Sequence, residues 1–143
     1  MTAASNQGPT TGLTPHLTIS GKSASEAIDF YAAAFGADEQ VRMLADDGKR
    51  LMHAHLIING GSLMLNDDFP EYRGPTDVGS GPPLGVTLHL QVDDADAWFA
   101  RAVAAGAAVK MPLQDMFWGD RYGQVEDPFG YRWAIAHPIK QGD

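Results

Sequence analysis

Hydrophobic and polar positions along the first half of the chain fall into five blocks. From Leu13, LTPHLTIS alternates, setting Leu17 and Ile19 on one face and His16, Thr18 and Ser20 on the other, the two-residue period of a half-buried strand. In the next block, SASEAIDFYAAAFG, the period changes. Ala27, Ile28, Tyr31, Ala34 and Phe35 recur at helical spacing, with Ser23 or Ser25 as N-cap and Gly36 as stop. Strand-like runs follow at 39–44, 51–58 and 62–65, punctuated by the turn pairs Asp47-Gly48 and Gly60-Gly61. The second half repeats the order. GVTLHLQV predicts a strand, DDADAWFARAVAAG a helix capped by Asp93 or Asp94 and stopped at Gly106, and further runs lie near Val109, Gln124 and Trp133. Ala27, Phe30, Tyr31 and Ala34 match Ala95, Trp98, Phe99 and Ala102 in order, and Phe-Gly-Ala at 35–37 resembles Ala-Gly-Ala at 105–107.

The recurrence predicts an α+β protein of two βαβββ modules, since one module alone would not easily bury both faces of its sheet. The expected boundaries are a disordered N-terminal arm at 1–12, a first module at 13–68, a linker loop at 69–84, a second module at 85–138 and a tail at 139–143. Four of the nine prolines fall between Asp67 and Gly85, which marks that stretch as a loop.

Composition narrows the partners. A hydrophobic fraction of 44% with 20% charged residues is ordinary globular material, and no apolar run approaches the ~20 residues needed to span a bilayer. The amino terminus has neither the basic start nor the apolar stretch of a signal peptide, so a cytoplasmic protein without a membrane partner is expected. A net charge of −8 with no basic cluster repels phosphate backbones, which argues against nucleic acid. Without cysteine there are no disulfides, thiolate nucleophiles or Cys-ligated metals, and any metal must be held by His, carboxylate or water.

Two regions carry candidate chemistry. His53 and His55 share one strand face, as do Thr87 and His89, and with His16 they bring several imidazoles to two modules. They read either as polar residues lining a pocket, the favoured reading, or as a metal site. In MFWGDRYG, Phe117 and Trp118 offer ring faces, Arg121 a planar cation and Tyr122 a hydroxyl, a set suited to an anionic or carbonyl-bearing ligand. The competing reading packs Trp118 under its loop and pairs Arg121 with Asp120 or Asp127. Asp127-Pro128-Phe129-Gly130 reads as a turn, and His137 near the chain end as a surface residue.

The blocks SASEAIDFYAAAFGA, MHAHLIINGGSLMLND, LHLQVDDADAWFARAVAAGA and FWGDRYGQVEDPFGYRWAI together resemble the vicinal-oxygen-chelate superfamily of glyoxalases, bleomycin-resistance proteins and extradiol dioxygenases, in particular its PhnB-like branch. The resemblance implies that each module curls a mixed four-stranded sheet into a half-open cup, that the cup binds a small molecule, and that chains pair as homodimers. It places the metal ligands of metal-dependent relatives on His16, His55, Thr87 and Ala134. Ala134 has no lone pair and Thr87 is a poor ligand, so no metal is expected in the usual arrangement and no cofactor is assigned. The alternative is a metal-dependent lyase, isomerase or dioxygenase with a relocated divalent-metal site at His16, His55 and His89. The expected ligand-binding set is therefore His16, His53, His55, Thr87, His89, Trp118, Arg121 and Tyr122. Methyl transfer is rejected, because no glycine-rich loop follows a first strand in the way a nucleoside cofactor requires.

Overall fold

A computed structural model of the chain describes residues 8–72 and 85–139. Most of the expected arm, most of the 69–84 linker and the end of the tail lie outside the described residues. The chain divides into two compact units, Met1–Ala32 with Gly36–Pro82, and Ala33–Phe35 with Pro83–Asp143.

In the first unit the order is β1 (His16–Ile19), α1 (Ala24–Phe35), β2 (Asp38–Leu44), β3 (Leu51–Ile58) and β4 (Gly61–Asp67), followed by a 3-10 turn at Pro70–Tyr72. The second has β5 (Leu88–Gln91), α2 (Ala95–Ala105), β6 (Ala108–Asp115), β7 (Asp120–Glu126) and β8 (Arg132–Pro138). Each is a βαβββ module with one open mixed sheet. The strand orders, β1-β4-β3-β2 and β5-β8-β7-β6, are the same path traced twice. The pairs β1–β4 and β5–β8 are parallel and the rest antiparallel. Among the described residues no helix is long and apolar enough to cross a membrane.

Local chemistry explains the boundaries. Ser23, not Ser25, caps α1, its hydroxyl accepting from the Glu26 N–H at 3.0 Å. Gly36 ends that helix at φ 66°, a left-handed conformation that a Cβ disfavours. Asp94 caps α2 by accepting from the Ala97 N–H. The β3–β4 turn is Asn59-Gly60, both at positive φ, while Gly61 already belongs to β4; the two-residue turn with this handedness matches strand twist.

The helix starts are tied to the sheets by the residue closing each module's last strand. Asp67 accepts from the Ala24 N–H at 2.7 Å, and His137 accepts at Nδ1 from the Ala95 N–H at the same distance. His137 is therefore half-buried and engaged, not the surface residue the sequence suggested. Its role also corrects the internal repeat, since Ala24 corresponds to Ala95, three residues away from the match built on Ala27. Three residues is nearly one helical turn, so the same face meets the sheet in either alignment.

Candidate functional site

Strand alternation gives each sheet one face toward its helix and one open face. In the first unit Leu17, Ile19, Ala54, Leu56, Leu63 and Leu65 are buried together with Asp67, which holds the start of α1. The opposite face carries a row at one register: His16 on β1, Met64 on β4, His55 on β3 and Val41 on β2. His55 is buried, with Nε2 2.9 Å from the Ser62 hydroxyl. His16 is exposed as a residue, yet partial desolvation of its ring, and then the neighbouring His53, hold its pKa below the ordinary value. On the same face the Thr18 hydroxyl donates to Asn66 Oδ1 at 3.1 Å.

At one end of this face lies a cavity of about 550 Å³ lined in part by Thr18, Asn66, Arg50, Met52, Phe69 and Tyr72. None of the eight residues of the expected ligand-binding set lines it. Arg50 is its fixed point. It pairs with Asp47 and Glu71, each at 2.7 Å, and its guanidinium lies 4.2 Å from the centre of the Phe69 ring, which in turn sits against Tyr72. These partners raise the Arg50 pKa, and the Asp47 carboxyl is held down to about 2, first by the Arg50 side chain and then by the Arg50 and Lys49 backbone N–H groups.

The second unit repeats the row as His89 on β5, Ala134 on β8, Gln124 on β7 and Met111 on β6. Gly123 on β7 faces α2, because a Cβ there would meet Phe99 Cε2 at 2.8 Å; Ile135, its register partner, shares that side, and Ala134 faces away as expected. The open face is polar and aromatic. His89 Nε2 lies 2.7 Å from Gln91 Oε1, Gln124 Nε2 donates to the Tyr122 hydroxyl at 2.9 Å, and Arg132 Nη1 donates to Gln124 Oε1 at 2.8 Å. Ring centres run from His89 to Tyr122 at 6.0 Å, on to Trp118 at 5.4 Å and to Phe117 at 5.1 Å. Phe117 is 96% exposed and Trp118 48%, so neither is packed away under its loop.

Arg121 stands elsewhere. Being two residues before Gly123 it is on the helix side, where Asp96 grips it at 2.9 Å and Asp115 at 3.1 Å. These carboxylates raise its pKa and it lowers that of Asp96, so its charge is already matched, though not by the Asp120 or Asp127 expected from sequence. Asp127 instead braces its turn, accepting from the Phe129 and Tyr131 N–H groups and from the Trp133 indole. Thr87 is exposed and precedes β5.

The matched rows also fix which positions correspond across the repeat. His16 pairs with Met64 as His89 pairs with Ala134, and His55 corresponds to Gln124. Of the positions to which the resemblance assigned metal ligands, His16 and His55 lie in one register row with Met64 between them, Ala134 shares its row with His89 and Gln124, and Thr87 stands before β5 outside these rows. Neither the Met64 thioether nor the Ala134 methyl is a donor that zinc, nickel or iron(II) favours. Among the described residues no group of three or more His, Asp or Glu is disposed to hold a metal ion.

Two open-sheeted βαβββ modules with the same strand order define a glyoxalase-like α+β protein. The Glyoxalase/Bleomycin resistance protein/Dioxygenase superfamily pattern matches residues 14–135, and the chain belongs to that superfamily. An uncharacterized Mycobacterium tuberculosis protein is 49% identical over 134 residues, covering 90% of this chain and 75% of the relative. The fold is shared with the PhnB protein from Bacillus cereus, at 22% identity and a TM-score of 0.62, over 91% of this chain and all of that one. It is shared too with TnmS3, an antibiotic binding protein from Streptomyces, at 24% identity and a TM-score of 0.58, over 91% and 98% of the two chains.

Proposed function

We propose that the protein is a PhnB-like binder of a planar small molecule, held on the open sheet face of the second unit without the metal of metal-dependent relatives. The observation that carries this reading is the ledge in the second unit, where the rings of Trp118, Tyr122 and His89 adjoin and Gln91 and Gln124 fix their polar atoms. Binding proteins need a shaped apolar surface and a few placed polar groups, and this ledge has both. TnmS3, which shares the fold, is an antibiotic binding protein; that likeness concerns the scaffold, and the residues of the ledge are this chain's own. The reading includes association as a two-fold homodimer, the commonest closed assembly.

A panel of planar aromatic compounds titrated against the purified protein, followed by tryptophan fluorescence, tests it. The expected result is at least one saturable ligand that Trp118→Ala weakens about tenfold, in keeping with the ~1–3 kcal/mol of an aromatic stacking partner. Ligands that bind equally well to the Trp118→Ala protein would place binding away from the ledge. Stoichiometric zinc, nickel, manganese or iron in protein purified without chelator, lost on His55→Ala, would replace this reading with a metal enzyme.

A further inference from the structure

We propose that Arg132 sets the hydrogen-bond polarity of the ledge, so that it selects a neutral planar ligand with an acceptor beside a donor, such as an amide or lactam, over a carboxylate. The inference rests on the binding reading above and names the ligand chemistry at that site.

The argument is one of donor and acceptor accounting. A guanidinium has donors and no acceptor, so Gln124 must turn its carbonyl oxygen to Arg132 Nη1, at 2.8 Å. The Gln124 amide nitrogen is then committed to Tyr122, 2.9 Å away, and the Tyr122 oxygen can only accept from it. A phenol that accepts there still has its own proton, which has no acceptor among the described residues and is left to donate to a ligand. On β5 the geometry is complementary. Gln91 presents Oε1 to His89 Nε2 at 2.7 Å, which assigns the proton to Nε2 and leaves the Nδ1 lone pair as an acceptor. The His89 and Tyr122 rings are 6.0 Å apart centre to centre, so one donor and one acceptor stand on adjacent rings, with Trp118 against Tyr122 as the stacking neighbour.

An amide satisfies both groups, its C=O accepting from Tyr122 and its N–H donating to His89. A ketone satisfies only the first. A carboxylate also brings a second acceptor against the His89 lone pair, in a protein of net charge −8 whose Arg132 is already turned toward Gln124 and lies 3.8 Å from Glu126. Arg132 and Gln124 are thus positioning residues.

The test uses three probes of one shape on the full chain, β-naphthamide, methyl β-naphthyl ketone and β-naphthoate, read by tryptophan fluorescence and by proton shifts of the His89 ring. The amide is expected to bind about tenfold more tightly than either of the others, the scale of one unmet hydrogen bond. Gln124→Glu supplies a carboxylate that accepts from both Arg132 and Tyr122, which turns the hydroxyl inward, and should abolish the amide preference. Gln124→Leu removes the partner while leaving that hydroxyl free, and should keep the preference. Melting curves confirm that both variants fold. Equal binding of amide and naphthoate by the wild type would overturn the polarity argument while leaving the binding reading intact, as would an unchanged amide preference in Gln124→Glu. Failure of all three probes to bind would overturn both.

Discussion

Asp67 and His137 do the same work with different chemistry. Each receives the first N–H of a helix, but Asp67 also accepts from the Leu51 N–H at 2.6 Å and is buried, whereas His137 makes one such bond and is half-buried. Removing an acceptor from buried donors costs about 1–3 kcal/mol per donor. Asp67→Ala is therefore expected to destabilise the protein by on the order of 3 kcal/mol and His137→Ala by about 1 kcal/mol, as read from urea denaturation; equal losses would show that the two are not graded by the number of donors they hold. His16 gives a second prediction at this scale. Its folded pKa lies below the ordinary 6.5 because its ring is partly desolvated and close to His53. The unfolded chain then takes up the proton first, so the His16 contribution is full above about 6.5 and is lost as pH falls through the folded value. A proton NMR titration should show a His16 midpoint below 6.5 that moves upward in His53→Gln; a midpoint at or above 6.5 in the wild type would remove the desolvation argument.

At the scale of elements, the helices and the module order were readable because caps, stops and periodicity act locally: Ser23, Gly36, Asp94 and Gly106 each signal through neighbours within four residues. His16, His55 and His89 were readable as sharing strand faces by alternation, whereas Tyr122 was legible only as a hydroxyl beside Trp118. The place of Arg121 was not readable, since its partners Asp96 and Asp115 come from α2 and β6, and only the β7 register decides which side it takes. Gln91 and Gln124 were within reach, two residues from His89 and Tyr122 on the same faces, but an amide gives no signal until its partner is known. The cavity around Arg50 was illegible because Glu71, twenty-one residues away, meets it only after β3 and β4 fold back. Gly123 shows how tightly α2 presses on its sheet. An added Cβ would meet Phe99 Cε2 at 2.8 Å, Met111 O at 3.0 Å and Leu113 N at 3.1 Å. Gly123→Ala should cost about 1–3 kcal/mol by overpacking, and pairing it with Phe99→Leu should recover only part, because two of the three obstacles are backbone. Full recovery in the double variant, by thermal denaturation, would show that β6 yields and that the ring alone was the obstacle.

For the whole molecule the open question of association turns on edges. β2 and β6 each end a sheet, and an exposed edge invites another strand unless something blunts it. β6 carries Lys110 and Pro112, and its ladder with β7 has two register shifts, which suit it poorly to pair further. β2 also has two shifts in its ladder with β3. Strand addition at β2 and β6 is thus disfavoured, and exposed apolar side chains also stand outside those strands. Tyr72 is 83% exposed on the turn after β4, next to Phe69 and the Arg50 cluster, and Met52 at 58% lines the same cavity. An exposed aromatic on a short turn held by ion pairs is the kind of rigid anchor that interfaces bury. We therefore place the proposed two-fold contact around Tyr72. Light scattering at micromolar concentration is expected to give about twice the 15.3 kDa chain mass, with Tyr72→Ser shifting the protein toward monomer while circular dichroism shows the fold retained. A dimer indifferent to Tyr72→Ser would move the interface away from the turn, and a monomer at all concentrations would remove the dimer itself.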